Sequence, residues 1–376
     1  MSNIFSLFSS RSQSVLGVDI GSSAIKVVQI KKKRGKAVLE TYGELALGPY
    51  SGVEVGRATN LPVDKIVDAL KDILRESKTT TVSAGVALPL SSSLISFISV
   101  PAVPDKQLAD VISLEARKYI PVPMNEVMID YSIIPKEDNY PPDDDNQNPK
   151  PAENNNQPPK INNKDVLVVA IHNEYVNNFQ SIMTGSGIQP TFYEIELFSS
   201  IRAVVDQGIN AVMIIDMGAS VTKLYIVERG ILRTSHIINR GGQDITLAIS
   251  KSLSISVSEA ENLKRVNGLK GGPEYKELTE IITVNLDYVF YEANATMLSY
   301  QKKYMKNISK VILTGGGVLL KGLTDLAKIS FQTEVIYADP FSRLETPAFL
   351  ADHFIQAGPE FAVAIGCAIR RLSELD

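Results

Sequence analysis

The chain has 376 residues, 38 lysine and arginine against 42 aspartate and glutamate side chains, a formal net charge of −4, 44% hydrophobic residues and one cysteine. That length can bury a large core in about two or three domains, the charge balance gives no global drive toward nucleic acid, and a lone Cys367 excludes an intramolecular disulfide framework. His172, His236 and His353 are dispersed, which argues against a histidine and cysteine zinc site.

The first residues hold a short apolar cluster, Ile4, Phe5, Leu7 and Phe8, without a basic region ahead of it, so a signal peptide is not expected and a frayed terminus docking on the core is. The longest apolar stretches, such as 94–103, are broken by serine and proline and fall short of a membrane span. A soluble, cytoplasmic protein is expected. Residues 15–20 read as a buried strand, Gly21-Ser22-Ser23 as a tight turn, 25–30 as a second strand, 31–36 with Gly35 as a further turn and 37–47 as a third strand. Three sequential strands joined by tight turns make an antiparallel meander. Ile66, Val67, Leu70, Ile73 and Leu74 at helical spacing predict a helix over 62–78, with Pro62 in its first turn. Residues 82–88 read as another buried strand.

From 91 to about 187 the pattern runs strand (94–100), helix (105–119), strand (127–134), strand (166–171), helix (173–184), which suits a small α+β insert. Within it, residues 139–163 are rich in asparagine, proline and acid, with almost nothing apolar to offset the entropy of ordering, and are expected to be a disordered loop.

The second half restarts the opening theme. Strands are expected over 211–216, 221–228 and 231–238, with Met217-Gly218-Ala219-Ser220 and Arg229-Gly230 as the turns, and VDIGSSAIKVVQI aligns with IDMGASVTKLYIV without a gap. Each first hairpin carries an aspartate, Asp19 or Asp216, at the end of a buried strand and then a small-residue turn. Such turns expose consecutive backbone N–H groups and cradle phosphate oxygens. An aspartate beside each cradle repels phosphate unless a cation intervenes, which magnesium held through water can supply. Lys26, seven residues after Asp19, can return to the phosphates as a point charge. Residues 311–314 form a strand that runs into Gly315-Gly316-Gly317 and a helical segment over 319–328, where glycine leaves room for a flat ligand or a phosphate. The apolar positions of 275–304, Ile281, Ile282, Val289, Phe290, Met297 and Leu298, read as second-lobe core.

VDIGSSAIK, IDMGAS and LTGGG, in this order, resemble the phosphate-1, phosphate-2 and adenosine motifs of the actin, Hsp70 and sugar kinase superfamily. The AENLK segment, with Glu261 and Lys264, is similar to its ribose and adenine helix, residues 241–246 to the entry of the second lobe's inserted subdomain, and 362–368 to the second interlobe helix. LGVDIGSSAIKVVQI together with VPAVPDKQLADVISLEARKYIPVP resembles more narrowly the PilM family of actin-like proteins of type IV pilus assembly, over almost the whole chain.

The resemblance implies an α/β, actin-like (ribonuclease H-like) duplicated two-lobed fold with an inserted FtsA-like 1C subdomain. The first lobe would be 1–90, continued by 190–208 and 358–376, the insert 91–189, and the second lobe 209–357 with a subdomain inserted at about 241–308. It implies ATP with Mg2+ in the cleft, phosphates on Gly21, Ser22, Ser23, Lys26, Gly218, Ala219 and Ser220, the base near Gly315, Gly316, Gly317, Glu261 and Lys264, and the metal facing Asp19 and Asp216 through water. Glu194 and Glu196 stand where a water-positioning residue is expected, Glu196 being the better placed, so nucleotide binding is expected more firmly than turnover. The implied partners are the cytoplasmic N-terminal peptide of a bitopic PilN-type membrane protein, in a groove between subdomains 1A and 1C, the pilus assembly machinery, and self-association, with no nucleic acid. The protein would then lie peripherally at the inner face of the cytoplasmic membrane. Residues Leu108, Val111, Ile112 and Tyr119 of the insert's first helix read as core rather than peptide site. The competing readings are a filament-forming division protein like FtsA, a small-molecule kinase of the sugar kinase type, and the secretion protein GspL, whose membrane helix has no counterpart in this sequence.

Overall fold

The computed structural model describes residues 14–135, 163–206 and 208–375. The apolar cluster at 4–8 and nearly all of the tract at 139–163 lie outside these residues, Asn163 excepted.

The first lobe opens with β1 (Ser14–Ile20), β2 (Ala24–Lys33) and β3 (Lys36–Ala46), an antiparallel meander. The β2–β3 turn is Arg34-Gly35, both at positive φ (52° and 79°), the two-residue geometry that matches strand twist. Helix α1 (Val63–Glu76) follows Pro62, which sits one position ahead of the first helical residue rather than within the first turn. Strand β4 (Ser83–Leu88) then lies parallel to β1.

Residues Leu90–Gln180 form a separate compact unit. It contains β5 (Ser93–Pro101), α2 (Asp105–Ala116), β6 (Val127–Ile134), β7 (Asn163–His172) and most of α3 (Asn173–Ser186). Its antiparallel sheet runs β5-β7-β6, and Ile98, Val100, Leu108, Ile112 and Val168 belong to its own core. Helix α2 stops three residues before the expected end, and Tyr119, expected among its core residues, is exposed.

The chain returns to the first lobe through β8 (Gln189–Ile195), parallel to β4, and α4 (Glu196–Val204). The second lobe contains β9 (Ala211–Met217), β10 (Thr222–Glu228), β11 (Ile231–Ile238), α5 (Gly242–Leu253), α6 (Val257–Val266), α7 (Lys276–Tyr304), β12 (Ile308–Thr314), α8 (Leu323–Phe331) and β13 (Glu334–Tyr337). Helices α9 (Ala351–Ala357) and α10 (Ala362–Ser373) end the described chain.

The two large sheets have the orders β3-β2-β1-β4-β8 and β11-β10-β9-β12-β13, the same topology strand for strand. The duplication extends to the turns, since Arg229-Gly230 between β10 and β11 also has both φ values positive, 54° and 74°. Ile282, Val289, Phe290 and Met297 of α7 pack into the second-lobe core with Met213, Ile215 and Leu313 of the sheet. Leu298, expected beside them, is instead exposed, because its position falls on the outer face of the helix. Helix α10 is buried along most of its length and packs its Ala364, Ile365 and Ala368 against Val15, Val28 and Ile30 of the first sheet. Among the described residues, no helix is long and apolar enough to cross a membrane.

Candidate functional site

The two duplicated hairpins bring their turns together. In β1 and β2, Asp19 stands directly across from Lys26, and in β9 and β10 Asp216 stands directly across from Lys223. Gly21 N–H donates to the Ala24 carbonyl at 3.0 Å, and Gly218 N–H donates to the Val221 carbonyl at 3.0 Å, so both turns close in the same way. The backbone N–H groups of Ser22, Ser23, Ala219 and Ser220 donate to no backbone carbonyl among the described residues. The turns face each other, with Ser220 Oγ donating to Ser22 Oγ at 3.1 Å. The start of α5 fixes the second turn from behind: Gly242 N–H and Gln243 N–H donate to the carbonyls of Gly218 and Ala219, each at 2.9 Å. Open N–H groups on two opposed, anchored turns suit a polyphosphate.

The charges beneath the turns are unequal. Asp216 and Glu196 are both buried, and Lys223 Nζ lies 2.6 Å from Glu196 Oε2 and 3.3 Å from Asp216 Oδ2. Burial pulls the Lys223 ammonium down, but Asp216 and Glu196 raise it well above the usual lysine range. Lys26, by contrast, turns to Glu44 at 3.3 Å. Burial would lower Lys26 as well, and Glu44, followed by Asp19 and Glu360, outweighs it and raises the ammonium. Asp19 is pushed up to about 7, by burial first, with Glu196 and Asp216 adding to the rise against the pull of Lys26 and Lys223. Glu360 is likewise pushed up to about 7, by burial and then by the neighbouring Glu44 carboxylate. Among the described residues the buried Tyr225 hydroxyl has no hydrogen-bond partner, and burial with the field of Asp216, Glu196 and Asp19 holds it in the neutral form.

The three glycines after β12 pack closely on this cluster. Gly315 has φ +85°, and a Cβ there would stand 2.5 Å from Asp216 Oδ1; one on Gly316 would stand 2.7 Å from Glu360 Oε1, and one on Gly317 2.5 Å from Met217 Cγ. Close approach to protein atoms, besides any room for a ligand, therefore requires small residues here. The helix expected directly after them begins at Leu323, a short 3-10 turn over Gly316–Leu319 coming first.

Helix α6 starts with a capping box, Ser256 Oγ accepting from Glu259 N–H at 3.2 Å while Glu259 Oε2 accepts from Ser256 N–H at 3.0 Å. That start sets Glu261 and Lys264 three residues apart on one face, 2.7 Å from each other. Lys264 Nζ also donates to the Gly242 carbonyl at 3.0 Å, which ties α6 to the start of α5 behind the second turn. Its burial lowers the ammonium below the usual lysine range.

Glu196, the expected water-positioning residue, is the first residue of α4 and is engaged by Lys223. Glu194, the weaker candidate, accepts from Arg202 at 2.6 and 3.0 Å, from Arg370 at 2.7 Å and from Ser199 at 2.6 Å. It ties α4 to α10. Burial raises its carboxyl, but these donors, Arg202 foremost, hold it below the usual carboxylate range. Lys223 and Glu360 were not among the residues expected from sequence. The gapless alignment of the two hairpins places Lys223 opposite Lys26 and carries the signal for it; nothing local marks Glu360.

The description "Type IV pilus assembly protein PilM" matches residues 17–147 and 152–372. The solved structure of a PilM-PilN type IV pilus biogenesis complex superposes with TM-score 0.78 at 22% identity, covering 95% of this chain and 98% of that one. MreB5 of Spiroplasma citri bound to AMPPNP superposes with TM-score 0.51 at 12% identity, covering 96% and 97%. At those identities the likeness speaks to the fold, which is actin-like. Among curated proteins, the cell division protein FtsA of Streptococcus pneumoniae is 24% identical over 197 residues, 46% of this chain and 43% of its own length. The chain thus spans less than half of that relative. Because the family match takes in nearly all of both lobes and the insert, the chain belongs to the PilM family of type IV pilus assembly proteins.

Proposed function

We propose that this chain is a nucleotide-binding scaffold of pilus assembly, taking ATP between its two lobes and the cytoplasmic N-terminal peptide of a PilN-type membrane protein as its partner. The observation that carries the nucleotide is the pair of matched turns with open N–H groups and facing hydroxyls 3.1 Å apart. Phosphate oxygens bound there would replace the Ser22–Ser220 hydrogen bond and link the lobes. Gly315, Gly316 and Gly317, with Glu261 and Lys264, would lie toward the nucleoside. Support for the partner comes from family membership and from the complex whose PilM chain shares this fold.

Magnesium suits one side of the site. Asp19 presents a hard carboxylate beside the first turn, with its cross-strand lysine drawn off to Glu44, which fits an ion held through water and shared with phosphate. No set of three or more metal-ligating side chains occurs among the described residues, so the ion would arrive with the phosphates, whose charge it would offset. Because Glu196 is held by Lys223, binding rather than rapid turnover is proposed.

Calorimetric titration tests the nucleotide site. Asp19→Ala and Asp216→Ala should each weaken ATP binding in magnesium by about tenfold or more, and full affinity in both variants would remove the assignment. For the partner, the full chain should be retained by an immobilised PilN-type N-terminal peptide and not by a scrambled one; equal retention by both would overturn it.

A further inference from the structure

Helix α7 is apolar on two sides. Its inner face, with Leu278, Ile282, Leu286, Val289, Phe290 and Met297, builds the second-lobe core. On the outer side Val284, Tyr291, Leu298 and, just past the last helical residue, Met305 follow one another at intervals of seven residues, with Tyr288 and Ala295 four residues after the first two. The five large side chains are each at least 50% exposed. Single exposed apolar residues are ordinary, but a stripe that repeats every seven residues is the pattern of a helix that packs on another helix. A strict seven-residue repeat drifts by only about 20° per heptad, so the stripe keeps to one side of the helix. Its ends carry opposite charge, Glu277 and Glu280 at the start, Lys302 and Lys303 at the end, all exposed.

We propose that the outer face of α7 is a self-pairing surface, on which a second copy of this chain lays its own α7 antiparallel, with Tyr291 on the two-fold axis. Val284 and Leu298 each stand seven residues from Tyr291, and Glu280 and Lys302 each eleven. In an antiparallel pair Val284 therefore meets Leu298 of the second copy and Glu280 meets its Lys302, each contact made twice, as a two-fold interface requires. A parallel pair would set like charges side by side at both ends. Glu280 already has Lys276 at 3.7 Å, but both side chains are largely exposed, and such a pair gives way readily. A helix of another protein would need its apolar stripe in this register and its charges in the reverse order; the second copy supplies both. One helix face is a small interface, so the pairing is reversible. The inference does not depend on the nucleotide reading.

Sedimentation velocity of the full chain tests it. The wild type should pass from monomer to dimer between about 1 and 100 μM, and Tyr291→Asp, which sets two carboxylates together on the axis, should raise Kd at least about tenfold. Glu280→Lys should weaken the dimer about threefold or more, and adding Lys302→Glu should restore it, a rescue that a purely structural role does not give. Cross-linking reads the register. Cys367, the single cysteine, is fully buried, so an introduced cysteine reports alone. Under oxidation Tyr291→Cys should join to itself, Val284→Cys should join to Leu298→Cys in a mixture, and Val284→Cys alone should stay unlinked. A wild type that stays monomeric at about 100 μM would overturn the inference and leave the stripe to a different protein. A dimer that Tyr291→Asp leaves unchanged, or self-linking of Val284→Cys as fast as that of Tyr291→Cys, would overturn it as well. The wild-type concentration series needs no variant, so it decides even if a variant fails to fold.

Discussion

Asp19 and Asp216 hold the same place in the two hairpins, but Asp216 has an ammonium 3.3 Å away while the lysine across from Asp19 is turned to Glu44. Asp19 therefore carries the strain of the site, its carboxyl pushed up to about 7 by burial and by Glu196 and Asp216. In the unfolded chain it titrates near the ordinary aspartate value of about 3.9. Between these values the unfolded chain gives up the proton and the folded chain keeps it, so ligand-free stability falls as pH rises through the window and levels off above about 7. Asp19→Asn removes that loss. The variant should melt higher than the wild type at pH 8, by up to about 4 kcal/mol in stability, with the gap closing toward pH 4. Glu360 is shifted similarly but is present in both proteins and cancels. Thermal unfolding across this range checks it, and equal midpoints at pH 8 would show that Asp19 is not held near neutral. The same variant should bind ATP in magnesium less well, the opposition of stability and function expected of a binding residue.

At the scale of elements, the strands of both meanders were legible because each is a run of apolar residues between glycine-containing turns, and the hairpin repeat exposed the duplication. Strand β8 was not legible: its GIQPTFYEI neighbourhood holds a glycine, a proline and polar residues, and it is a strand because it pairs with β4 about a hundred residues earlier in the chain. The exposed Leu298 and Tyr119 show the other limit, since helical spacing alone does not say where a helix ends or how wide its buried face is. Packing likewise outranks propensity at Gly366, inside α10. An added Cβ would stand 2.5 Å from the Ser199 carbonyl carbon and 2.8 Å from its Cα, backbone atoms of α4 that have no rotamer to yield. Helix propensity favours Gly366→Ala by about 1 kcal/mol, whereas overpacking costs about 1–3 kcal/mol or more where backbone is struck. A net destabilisation of about 2 kcal/mol is expected in urea unfolding followed by circular dichroism. A more stable variant would mean that α4 and α10 can separate without cost.

In the whole molecule, the two lobes belong to one compact unit and Leu90–Gln180 to another with its own core. At the cleft the lobes meet through polar contacts, Ser220 to Ser22 at 3.1 Å and Ala58 N–H to Gln243 Oε1 at 3.2 Å, with Gly56 facing Glu261 and Arg265. Such contacts are individually weak in the presence of water. A ligand that touches both turns adds its binding free energy to the unit that contains both, about 2.7 kcal/mol at one hundred times its dissociation constant. The insert contributes none of the expected nucleotide contacts and gains nothing by this linkage. Scanning calorimetry of the full chain should therefore show ATP moving the transition of the two-lobed unit upward while the transition of the insert stays in place. Deleting the cradle charge with Asp216→Ala should abolish most of the movement. If ATP moved both transitions together, the insert would have to share in the binding free energy, and the division of labour between a nucleotide clamp and a separately folded insert would be wrong.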